Sequence, residues 1–90
     1  MPREHTLNRD YHSHPRNIVG KRIRELRKTA KPRSISQEDL CGRVAVYGVT
    51  FTRDQIAKIE TGKRRVFDFE AVAIAKALKV SLQYLVSGHE

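Results

Sequence analysis

Two helix-start signals stand sixteen residues apart, Ser36 in S-Q-E-D-L and Thr52 in T-R-D-Q-I, with Gly48 between them. Ser36 precedes Glu38 and Asp39, acids that suit the positive end of a helix dipole, and Thr52 with Gln55 three residues on forms a capping box. A chain written this way has room for one short helix, a turn at Gly48 and a second short helix. Gly62 marks a left-handed end to the second helix, and Lys63, Arg64 and Arg65 follow it. Ile56 and Ile59 give this second helix an apolar side, and Arg53, Asp54 and Lys58 give it a polar one. Helix, turn and helix with positive charge around the outer element are the ingredients of major-groove DNA recognition.

The remainder of the chain also reads as helix. Asn17 is a good N-cap, and Val19, Ile23, Leu26 and Ala30 fall on one face before Pro32 ends the segment. After Ser36, Leu40, Val44 and Tyr47 form an apolar stripe, with Cys41 beside it as a small buried hydrophobe. Asp68 reads as the cap of a fourth helix that is apolar almost all round from Phe69 to Leu78, which predicts the centre of the core. Ser81 caps a brief fifth helix with Leu82, Leu85 and Val86, ended by Gly88. Ile56, Ile59, Leu40, Val72 and Leu78 are core positions by pattern. Residues 1–16 show neither period and read as a flexible arm, leaving 17–88 as one all-α domain. The three arm histidines, His5, His12 and His14, lack the Cys or carboxylate framework of a metal site and read as a solvated tail.

The net charge of +8 on 90 residues favours a polyanionic partner. Counting Lys and Arg against Asp and Glu gives +6 for residues 17–35 and −1 for 66–90, so the positive charge is confined to the first two thirds of the chain. The first twenty residues lack the apolar run of a signal peptide, and no stretch approaches the roughly 20 apolar residues of a membrane span. With one cysteine, Cys41, the chain has no internal disulfide, and a cytoplasmic protein is the expectation. Glu38 and Asp39 are adjacent and do not face one another across a cleft. No paired carboxylates, Gly-rich phosphate loop or metal-ligand cluster marks an enzyme, and no cofactor is expected.

The segments Gly20–Lys28 (GKRIRELRK), Ser36–Leu40 (SQEDL), Thr52–Arg64 (TRDQIAKIETGKR) and Glu70–Gly88 (EAVAIAKALKVSLQYLVSG) together resemble the Cro/repressor-type, xenobiotic-response-element-like helix-turn-helix regulators. The resemblance covers roughly residues 18–88 and rests on the order and spacing of the segments. It implies a five-helix, lambda-repressor-like domain behind the arm, with a recognition helix over about 52–61. Two stretches are longer than in the family: Leu26 to Ser36, and Leu40 to Thr52. Either the second helix or the turn after it is extended.

The resemblance implies that Arg53, Asp54, Gln55 and Lys58 meet base edges. The chemistry agrees: a guanidinium fork fits guanine O6 and N7, and a carboxylate accepts from cytosine N4. Asp54 serves equally well as a helix-dipole residue. Gln37 matches a phosphate-touching position at the start of the second helix, and Thr52, Lys63, Arg64 and Arg65 are further expected phosphate contacts. Arg27 and Glu60 are implied to pair and to tie the first helix to the third. A DNA-binding regulator, in the first instance a bacterial or phage repressor, is the leading expectation. It would act as a homodimer through Val80–Val86 on a near-palindromic operator. The alternative is the antitoxin of a toxin–antitoxin pair that also binds its operator.

Overall fold

The computed structural model describes residues 18–88, and these form five helices and no strand. Helix α1 covers residues 18–28. Helices α2 (Gln37–Ala45), α3 (Arg53–Glu60), α4 (Asp68–Leu78) and α5 (Leu82–Ser87) follow. The expectations for Asn17, the arm and its three histidines lie outside the described residues. No helix among the described residues is long and apolar enough to cross a membrane.

The two central helices start in the same way. Ser36 Oγ accepts from Asp39 N at 2.9 Å, and Thr52 Oγ1 accepts from Gln55 N at 3.1 Å. Reciprocally, Ser36 N donates to Asp39 Oδ2 and Thr52 N to Gln55 Oε1. Each cap follows a buried apolar residue, Ile35 or Phe51, and each helix buries a residue four places past the cap, Leu40 or Ile56. These are the positions of a hydrophobic staple, which fixes the angle at which the chain enters a helix. The loop residues Ile35, Val49 and Phe51 thereby join the core made by Ile23, Leu40, Val44, Ile56, Ile59, Ile74 and Leu85.

Between Leu40 and Thr52 the helix runs only to Ala45, and residues 46–51 form the turn. Helix α2 ends at Ala45, and tight bonds from Tyr47 N to Val44 O and from Gly48 N to Ala45 O close the chain behind it. Gly48 takes φ +89°, a conformation that side chains resist. Tyr47 therefore leaves the stripe expected with Leu40 and Val44 and stands 47% exposed.

Helix α4 departs from expectation at its start and around its circumference. Its N-cap is Phe67, one residue before the expected Asp68, because Glu70 Oε1 accepts from Phe67 N at 3.0 Å and sets the first turn there. Its buried side carries Ala71, Ala73, Ile74, Ala75 and Ala77, while Phe69 and Val72 are exposed at 64% and 37%. Val72 is thus not a core residue, and the helix is covered on one broad side rather than most sides. Small side chains bring α4 close to its neighbours, and two of its larger ones face outward.

Helix α1 packs by backbone as well as side chain. Gly20 is buried where a Cβ would run into the Ile59 carbonyl oxygen and lie 3.1 Å from Glu60 Cα. Only glycine lets α1 rest on the last turn of α3 at this distance. Arg22 closes the other end of the fold. It donates to Leu85 O at 3.1 Å and lies over the Tyr84 ring, joining α1 to the C-terminal turn of α5.

Candidate nucleic-acid interface

Helix α3 buries Ile56, Ile59 and Glu60 and leaves Arg53, Asp54 and Lys58 exposed. An amphipathic eight-residue helix can do this only if its apolar side is held firmly, because so few residues anchor it. The anchor is polar. Arg27 Nε and Nη2 donate to Glu60 Oε2 and Oε1, both at 2.8 Å, in a two-pronged ion pair with the side chains 9% and 3% exposed. Arg27 Nη1 also donates to the Ile35 carbonyl at 3.0 Å, and Gln37 Nε2 donates to Glu60 Oε1 at 3.1 Å. Residues from α1 and α2 therefore meet on one carboxylate of α3, and Arg27 also ties in the α1–α2 loop. Such buried charges are tolerable because they pair with each other in two-pronged geometry and take further hydrogen bonds from Gln37 and to the Ile35 carbonyl.

This junction forms the wall of an open groove of about 480 Å³, rimmed by Arg24 and Lys28 from α1, Gln37 and the acid Glu38 in the first turn of α2, and Arg53, Ala57 and Thr61 along α3. Arg53 thus stands with two further cations and with the N-terminus of α2, whose unpaired N–H groups favour an anion. Arg24 was not singled out by sequence. Its i, i+4 spacing to Lys28 is the signal that places both on one strip of α1.

The other expected base contacts are arranged as follows. Asp54 Oδ2 and Lys58 Nζ pair at 3.1 Å across one turn, both well exposed. Gln55 is half-buried, and its side-chain oxygen is engaged with Thr52 N, leaving its NH₂ as the donor it can offer. Among the expected phosphate contacts, Thr52, Lys63 and Arg65 are exposed and Gln37 is half-buried.

Arg64 is engaged within the fold. Its Nη1 and Nη2 donate to Glu70 Oε1 and Oε2 at 3.0 and 3.1 Å, and Nη1 also donates to Arg65 O at 2.8 Å. Its guanidinium lies 5.3 Å from the Phe51 ring centroid and 5.9 Å from that of Phe67. A cation held by two rings and a carboxylate is not presented to a phosphate in the way Lys63 is. The Glu70 hydrogen bond, chiefly, pushes the Arg64 pKa up. Burial pushes Glu70 up, but the Arg64 hydrogen bond, the Phe67 N–H and the Arg64 charge together outweigh it and hold the carboxyl below its usual value. Arg64 thus braces the α3–α4 loop. Sequence position alone gave no warning, since Lys63, Arg64 and Arg65 read as one basic run.

Burial pushes the Cys41 thiol up, a backbone hydrogen bond opposes this, and the Glu38 charge adds to it, so the reactive thiolate is disfavoured. Among the described residues no group of three or more His, Cys, Asp and Glu side chains is placed to hold a metal ion. Comparison with known protein families, characterised proteins and solved structures gives no match to this chain.

Proposed function

We propose that this chain is a sequence-specific double-stranded DNA-binding transcriptional regulator, a repressor of the lambda-repressor-like, helix-turn-helix type, with α3 entering the major groove. The observation that carries the reading is the exposed face of α3, with Arg53, Asp54 and Lys58 outward and Glu60 clamped behind by Arg27 and Gln37. A helix meant only to close a core has no need of such a clamp, whereas a reading helix must hold its side chains at fixed positions. The capped start of α2, with Arg24 and Lys28 beside it, supplies a seat for a phosphate next to the base-reading face. In this reading Arg53 meets a guanine edge, Lys58 and Asp54 meet neighbouring bases, Gln55 offers its amide, and Gln37, Thr52, Lys63 and Arg65 hold the backbone.

Few base contacts come from one short helix, so two copies on a near-palindromic operator complete the reading. Leu82 and Val86, 41% and 47% exposed on α5, support the Val80–Val86 segment as the contact between them. Selection from a random double-stranded DNA pool at physiological salt tests the proposal. Enrichment of an inverted repeat with half-sites about one helical turn apart is expected. Binding that is salt-sensitive but indifferent to sequence would overturn it.

A further inference from the structure

The outward face of α4 carries a row, Asp68, Val72 and Lys76, at i, i+4 and i+8, all three exposed. Val72 is its midpoint, with one acid and one base equally far on either side. Large apolar side chains flank the row. Phe69 is 64% exposed and stacks on Phe67, with ring centroids 6.3 Å apart, near the acidic end. Tyr47 lies at the basic end, its ring centroid 5.9 Å from Lys76 Nζ.

We infer that this face of α4 binds a second copy of this chain, antiparallel, about a two-fold axis passing at Val72. A two-fold at the midpoint places each Asp68 opposite the partner's Lys76 and each Phe69 towards the partner's Tyr47. An isologous interface requires this: one patch complementary to itself. The charge pattern selects the occupant. The chain carries +8, so two copies meeting through α1 or the α3–α4 loop would repel. The α4 row is neutral, and its opposite charges stand at opposite ends, so a copy of itself is the partner it fits. The apolar flank supplies attraction of a kind that a monomer leaves facing water. The contact is separate from α5 and does not depend on the DNA-binding reading.

Sedimentation equilibrium of the full chain without DNA tests it, with Leu82→Glu and Val86→Glu present in the reference chain and in every variant so that pairing through α5 does not contribute. Asp68→Lys and Lys76→Asp are each expected to weaken self-association by roughly tenfold or more, since each sets like charges face to face twice per dimer. Mixed in equal amounts, the two variants should recover the association of the reference chain, because every facing pair is again opposite in sign. The double variant Asp68→Lys/Lys76→Asp should pair with itself as the reference chain does. Val72→Asp, which places two carboxylates on the axis, is a further probe that leaves Asp68 and Lys76 untouched and should also weaken pairing. Single variants that associate like the reference chain would overturn the inference. So would a mixture and a double variant as weak as the single variants, or a reference chain that stays monomeric up to about millimolar concentration.

Discussion

Arg53 and Arg64 are both arginines of the basic middle of the chain, and their surroundings separate them. Arg53 lines an open groove, whereas Arg64 lies between two rings and a carboxylate. Under the proposed function, Arg53→Ala should weaken binding to the selected operator by roughly 1–3 kcal/mol and leave binding to unrelated DNA nearly intact, measured by titration on both DNAs. Equal loss on both would remove Arg53 from base reading. Arg64→Ala should act first on stability, costing roughly 2–3 kcal/mol in a denaturant melt because Glu70 loses a charged hydrogen-bond partner. The pH dependence has a definite sign. Glu70 is held below its unfolded value, so its contribution is full above the ordinary carboxylate pKa of about 4.3 and is lost as pH falls through the lower folded value. Glu70→Gln should therefore be less stable than the wild type at pH 7 and show a shallower loss of stability on acidification. An identical acid profile would place the effect elsewhere. The exposure of Arg53 could be read from the helical period alone. The pairing of Arg64 could not, since it depends on how the chain folds back between α3 and α4.

Among the elements, α2 and α3 were the most legible, because each start is fixed by bonds between residues three apart. Their starts follow from the sequence, whereas the end of α2 at Ala45 does not, and the staple residues Ile35 and Phe51 could have been found by the same local rule. Helix α4 was less so. Asp68 is the better local cap, but Glu70, held by Arg64, sets the helix start at Phe67. Val72 and Tyr47 read as buried in the sequence but stand exposed, because an apolar period shows which side chains share a face and not which faces have neighbours. The tie between α1 and α3 was implied through the Arg27–Glu60 pair, but the close backbone approach at Gly20 carried no signal in the sequence. Gly20→Ala should cost roughly 1–3 kcal/mol, as overpacking does, because the Cβ meets backbone at Ile59 and Glu60 that cannot rotate away. The check is a thermal melt of the variant, and an unchanged midpoint would show that α1 yields more freely than its packing implies.

At the scale of the whole molecule, positive charge belongs to the part of the chain that carries α1 to α3, and the near-neutral last part, residues 66–90, carries the exposed apolar side chains of α4 and α5. That division was legible from charge counting, while the apolar faces themselves became visible only in the fold. If α5 joins two copies on an operator, Leu82→Glu with Val86→Glu should lower affinity for a paired site by roughly tenfold or more and leave a single half-site unaffected. Gel-shift titrations on the two DNAs would separate these outcomes, and parallel losses would place α5 outside the dimer contact. The Arg27–Glu60–Gln37 junction bears on a different quantity, the roll of α3 about its own axis. Apolar contacts from Ile56 and Ile59 set how far α3 stands from the core, but greasy surfaces slide. With side-chain tips about 6 Å from the axis, a slip of about 20° would move them by about 2 Å, more than a hydrogen bond to a base can absorb. A planar guanidinium gripping both oxygens of one carboxylate resists such rotation, so the register of α3 against a rigid surface is set by the chemistry behind the helix.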